Sequence, residues 1–171
     1  RDARGKRDYA ILLLLVTYGL RADEVTRLTL DDLDWARDRL RIPERKAGHS
    51  TAYPLSPTVG AAILAYLQHG RPQTADRHLF CRVVAPPAPL THGAISARVA
   101  HYLRRAGIAA PRLGAHTLRH TCVQRLVDVG LPFPVIGGYV GHRGPDATAL
   151  YTKIATEALR EVACGDGEAI L

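Results

Sequence analysis

The stretch Arg39–Leu55, RLRIPERKAGHSTAYPL, decides the fold class, because here the hydrophobic period changes. Leu40 and Ile42 alternate with Arg39 and Arg41. A period of two turns one face of a strand inward and leaves the other in water. Thr51 to Leu55 reads as a returning strand, and Arg45 to Ser50, with Gly48, supplies the turn. The expectation is a small hairpin or three-stranded sheet with Lys46 near its tip.

On both sides of this stretch the period is helical. Upstream, Lys6 to Tyr18 is apolar without interruption over Ala10–Val16, which predicts a buried helix stopped by Gly19. A short helix follows from Ala22, with Val25 and Leu28 inward. Downstream, Ser56 as cap and Pro57 as first residue open a helix with Val59, Ile63, Tyr66 and Leu67 on one face, ended by Gly70. Pro86–Leu90 (PPAPL) reads as a surface loop. Thr91 caps the next helix, which turns Ile95, Val99, Tyr102 and Leu103 inward and stops at Gly107. Further helices are expected over His116–Val129, Phe133–Tyr139 and Thr156–Ala163, with Gly137 and Gly138 weakening the second of these. The predicted class is α+β, mainly α-helical with a small antiparallel β-sheet.

At 171 residues with 47% hydrophobic content, the chain is long enough for one domain with a real core. Its longest apolar run is too short to span a bilayer, and no signal-peptide layout opens it. It begins at Arg1 and contains no Met, so it reads as part of a longer protein. Three cysteines, Cys81, Cys122 and Cys164, are an odd number without metal-ligand spacing and read as free thiols of a reducing compartment. The formal net charge of +7 favours a polyanionic partner, nucleic acid above all. Three of the 23 cationic residues are Lys (Lys6, Lys46 and Lys153), which makes each of them conspicuous.

Four features could carry chemistry. Arg21 sits in GLRADE just past a helix stop, with Glu24 three residues on. Lys46 sits at the hairpin. HTLRH places His116 and Arg119 one helical turn apart. His142, in VGH, precedes Tyr151 by nine residues. Cleaving a phosphodiester needs cations where negative charge develops, and arginine grips two phosphate oxygens without losing its proton. It needs a nucleophile, which a tyrosine supplies as a covalent phosphotyrosine. A free phenol has a pKa of about 10, so a neighbouring histidine is suited to take its proton. The leaving 5′-hydroxyl needs a proton, which a lysine of lowered pKa can give. Such a reaction requires neither metal nor nucleotide cofactor.

The order Arg, Lys, His-x-x-Arg, His, Tyr resembles the catalytic domain of the tyrosine recombinases, the phage-integrase family, from about Asp8 to Val162. The resemblance implies that Arg21 and Arg119 clamp the phosphate and that Glu24 is the acidic companion of Arg21. Lys46 would be the general acid, His116 would handle protons, His142 would hydrogen-bond the phosphate, and Tyr151 would be the nucleophile. It further implies site-specific strand cleavage and rejoining of double-stranded DNA through a 3′-phosphotyrosine, in a cytoplasmic protein of a bacterium or phage. Residues 1–171 would be the catalytic domain, with the family's N-terminal core-binding domain absent from this chain. The full-length protein would assemble as a tetramer on DNA; the chain alone would bind DNA weakly and with steep salt dependence.

Taken singly, these residues have plainer readings. Arg21 alone is a surface cation, Lys46 a solvated turn residue, Glu24 a first-turn charge facing the helix dipole, and Tyr151 a core residue like Tyr66 and Tyr102. His116 and His120 lie four apart, but the motif lacks the Glu of H-E-x-x-H and a third ligand, so no metal site is expected. His120 is read as a packing or supporting residue; His49, His69, His78, His92 and His101 as surface or capping residues. Two other functions fit the charge: a DNA-binding relative without catalysis, and a transcription factor whose HTLRH helix reads the major groove. The second leaves Lys46 and Tyr151 unused.

Overall fold

The computed structural model describes residues 2–43 and 50–141. Their order is α1 (Ala3–Tyr18), α2 (Ala22–Arg27), a 3-10 turn (Leu30–Asp32), β1 (Leu33–Asp34), β2 (Arg39–Ile42), β3 (Thr51–Pro54), α3 (Pro57–His69), α4 (His92–Arg105), α5 (Ala115–Asp128) and α6 (Phe133–Tyr139). The expected class is observed. The three strands lie in the order β1-β2-β3, antiparallel throughout, with Leu40 opposite Leu33 on one side and Tyr53 on the other. The helix expected over Thr156–Ala163, like Lys46, His142 and Tyr151, lies outside the described residues.

Helix α1 is the axis of the core, packed between α3 and α5 with α2 and α4 alongside. Its apolar run is buried on every side, as the unbroken pattern required. It starts earlier than Lys6 because Asp2 caps it, accepting from the Gly5 amide at 2.7 Å. A charged pair lies in its first turns that no local sequence pattern marks as buried. Arg7 and Asp8 are both buried and pair at 2.7 Å. Arg7 also donates to the Cys81 carbonyl, while Asp8 takes the Tyr102 hydroxyl and meets Arg98, so this pair fastens α1 to α4. Burying ions is tolerated because each has such partners.

Three tyrosines bind the sheet to the helices. The Tyr53 ring lies 5.1 Å from that of Tyr18 and 5.0 Å from that of Tyr139. Tyr53 donates to the Tyr139 carbonyl, Tyr139 to the Thr17 carbonyl, and Tyr18 to the Pro54 carbonyl. The Tyr18 oxygen in turn accepts the Ser56 amide at 2.8 Å. Ser56 occupies the expected cap position of α3, but its buried hydroxyl makes no capping bond. Thr91 does cap α4, accepting from Ala94. Helix α6 runs through Gly137 and Gly138 despite their low propensity, because Val135, Ile136 and Tyr139 are buried against the core.

Gly19 ends α1 in the left-handed region, with φ 59°. A Cβ there would stand 2.9 Å from Val140 Cγ1 and 3.2 Å from Cys122 Sγ. Gly19→Ala is therefore expected to cost about 2 kcal/mol, combining backbone strain with forced repacking. Urea unfolding measures this, and an unchanged midpoint would refute the packing account.

Hydrogen bonds from the His78 amide and ring hold the Asp76 carboxyl below its usual range. A carboxyl depressed in the folded state stabilises above its unfolded pKa, and that stability is lost as pH falls through the folded value. Wild type should thus lose its advantage over Asp76→Asn below about pH 4, read as converging melting temperatures.

Candidate active site

The stop at Gly19 turns the chain so that Arg21 becomes the N-cap residue of α2. Glu24, on the first turn of that helix, holds it twice. One carboxylate oxygen accepts the Arg21 amide at 2.8 Å and the other accepts Nη1 at 3.2 Å. Glu24 is buried, so both first-turn and orienting descriptions of it apply.

Helix α5 carries the other half. Leu118, Cys122 and Leu126 are buried on one face, Arg119 borders that face, and His116 and His120 extend the line of side chains toward the cavity. Arg119 donates to the Gly19 carbonyl through Nη1 and to the Val140 carbonyl through Nη2 at 2.7 Å. Arg21 reaches the next carbonyl, that of Gly141, at 3.4 and 3.5 Å. Two guanidinium groups 98 positions apart in sequence thus meet at the end of α6, directly before His142.

Arg21, Asp23, His92, Ser96, His116, Arg119 and His120 line a shared cavity of about 420 Å³, with Leu20, Ala22 and Ala115 as its apolar part. Two arginines and three histidines face one exposed carboxylate, Asp23, so the cavity favours an anion. The His116 and His120 rings meet edge to face with centroids 6.4 Å apart. Among the described residues no group of three or more His, Cys, Asp or Glu side chains is arranged to hold a metal, and no helix is long and apolar enough to cross a membrane. Cys81 and Cys122 are buried, and burial pushes the Cys81 thiol up.

Of the residues singled out in sequence, Arg21, Glu24, His116, Arg119 and His120 are brought together here. Lys46, in the connection between β2 and β3, His142 and Tyr151 are outside the described residues. His92 and Ser96 were missed. Their spacing of four on α4 puts them on one helical face, a signal that pointed to nothing until the cavity joined them to α5.

The described residues form a helical domain with a small antiparallel sheet that presents Arg21 and Arg119, far apart in the chain, to one cavity. The chain belongs to the phage integrase family, the tyrosine recombinases; the family's model matches residues 1–158. The protein y4gC of Sinorhizobium fredii, an integrase/recombinase by its name, is 42% identical over 161 residues, covering 93% of this chain and 82% of that one. Tyrosine recombinase XerD of Yersinia pestis is 31% identical over 159 residues, and this chain spans 52% of its length. Among solved structures, XerA recombinase superposes with a TM-score of 0.71 at 24% identity, covering 91% of this chain and 55% of that one. XerH in a post-cleavage complex with its difH substrate gives 0.73 at 20% identity, covering 95% and 46%. These two likenesses establish the fold.

Proposed function

We propose that the chain is the catalytic domain of a site-specific DNA recombinase that cuts and rejoins double-stranded DNA through a 3′-phosphotyrosine. Arg21 and Arg119 hold the non-bridging oxygens of the attacked phosphate, and His142 adds a hydrogen bond. The Tyr151 oxygen forms the new bond to phosphorus as the bond to the 5′-oxygen breaks. Lys46 protonates that leaving oxygen, and His116 takes part in proton transfer. The phosphotyrosine conserves the bond energy, so rejoining needs no nucleotide and no metal. The full-length protein would work as a tetramer on two duplexes.

The observation that carries this reading is the convergence of Arg21 and Arg119 on one cavity with His116. Preorganised donors in a recess stabilise developing charge far better than donors in water. The Arg21 contacts to Gly141, at 3.4 and 3.5 Å, exceed ordinary hydrogen-bond length. A phosphate oxygen, being charged, makes the stronger bond and readily replaces that carbonyl.

The test is to incubate the full-length protein with a nicked cognate site, where the cut strand fragment diffuses away and traps the intermediate. A protein–DNA adduct that survives denaturant is expected. Binding to a verified site with no adduct would overturn the strand-transfer reading and leave a DNA-binding protein.

A further inference from the structure

The His116 ring is held in a way that decides which of its nitrogens can exchange a proton. Its Nε2 lies 2.8 Å from the Arg112 carbonyl oxygen. A carbonyl only accepts, so Nε2 carries a hydrogen whether the ring is neutral or cationic. The same carbonyl accepts the Thr117 hydroxyl at 3.1 Å, which occupies its second lone pair. Thr117 is fixed in turn, because its oxygen accepts the Gly114 amide at 3.3 Å and its own amide donates to the Gly114 carbonyl at 3.0 Å. The segment from Arg112 to Gly114 is thereby tied to the first turn of α5.

Gly114 lies under the other edge of the ring. A Cβ on it would stand 3.3 Å from Nδ1, 3.4 Å from Cε1 and 3.9 Å from Ser96 Cβ. Its backbone, with φ 165° and ψ -169°, is extended and open to any residue. Backbone conformation therefore gives no reason for glycine here, whereas the imidazole above it does.

We infer that His116 exchanges protons through Nδ1 alone, with the Arg112 carbonyl fixing the tautomer and Gly114 acting as a positioning residue that keeps the Nδ1 edge clear beside Ser96. This rests on the strand-transfer reading for its role, though not for its geometry. In the step, an O–H bond of the group in the cavity breaks and an Nδ1–H bond forms. The products are an oxyanion and an imidazolium whose Nε2–H stays on Arg112. The reverse transfer restores both. A carbonyl that pins one ring nitrogen sets the orientation and basicity of the other, as it does for histidines that bind metals.

Long-range proton–nitrogen NMR on the ¹⁵N-histidine-labelled chain, without DNA, reads the tautomer directly at a pH where imidazole is neutral. His116→Gln identifies the signal by its loss. A single Nε2–H form is expected; an Nδ1–H form or an averaged mixture overturns the inference. In Gly114→Ala the preference should weaken, and the full-length variant should cleave about 10-fold more slowly, with a displaced pH profile and unchanged DNA affinity. An unaltered spectrum and profile in that variant would overturn the role given to Gly114. Failure of the wild type to form any adduct would count against strand transfer, while the NMR result would still decide the tautomer.

Discussion

Arg21→Ala and Arg119→Ala are each expected to slow strand cleavage on the order of 10²–10³-fold, and the double variant should be far less impaired than the product of the two. The two guanidinium groups line one cavity and reach adjacent carbonyls, those of Gly141 and Val140. Groups that stabilise one charge together lose most of their effect when either is removed. Arg119→Lys keeps the charge but not the planar fork, and should recover little. Arg119 also ties the Gly19 and Val140 carbonyls, so Arg119→Ala will lower stability as well as rate. Urea unfolding run beside the single-turnover assay confirms that rates are measured on folded protein. Multiplicative losses in the double variant would mean the two residues act on separate charges, and a shared cradle would be rejected.

Tyr151→Phe is expected to remove the covalent adduct entirely while leaving DNA affinity within about twofold. The change deletes one oxygen and keeps the ring, so binding contacts that depend on shape survive. Attack requires the nucleophile in line with the leaving oxygen and the phosphate held still, so removing this one oxygen should abolish the adduct. The measurement is denaturant-resistant complex on a nicked site, set against binding by gel shift. Adduct persisting in the variant would move the nucleophile elsewhere, and parallel loss of binding would make Tyr151 a structural residue.

The parts of this molecule legible in its sequence are those governed by local rules. The alternation of Leu40 and Ile42 with arginines gave away β2, and the uninterrupted run before Gly19 marked α1 as buried. The spacing of His116 and Arg119 placed them on one edge of α5. What escaped reading depends on contacts distant in the chain. Nothing near Arg7 and Asp8 says that they will be buried, because their partners Cys81, Arg98 and Tyr102 arrive from elsewhere. Ser56 has the composition of a cap, yet its amide is claimed by Tyr18 and its hydroxyl makes no capping bond. His92 and Ser96 become cavity residues only when α4 packs beside α2 and α5. The order Arg, Lys, His-x-x-Arg, His, Tyr was readable as a resemblance. The carbonyl ladder of Gly19, Val140 and Gly141 that seats the two arginines was not, since backbone acceptors leave no trace in residue types.

The most direct measurement is a crystal structure of the full-length protein on its DNA site, reading the distances from the Arg21 and Arg119 guanidinium nitrogens to phosphate oxygens. Both should lie within about 3 Å of non-bridging oxygens of one phosphate, with the Tyr151 oxygen positioned to attack it. Guanidinium groups bound to different phosphates, or still resting on the Val140 and Gly141 carbonyls with the cavity empty of DNA, would contradict the account.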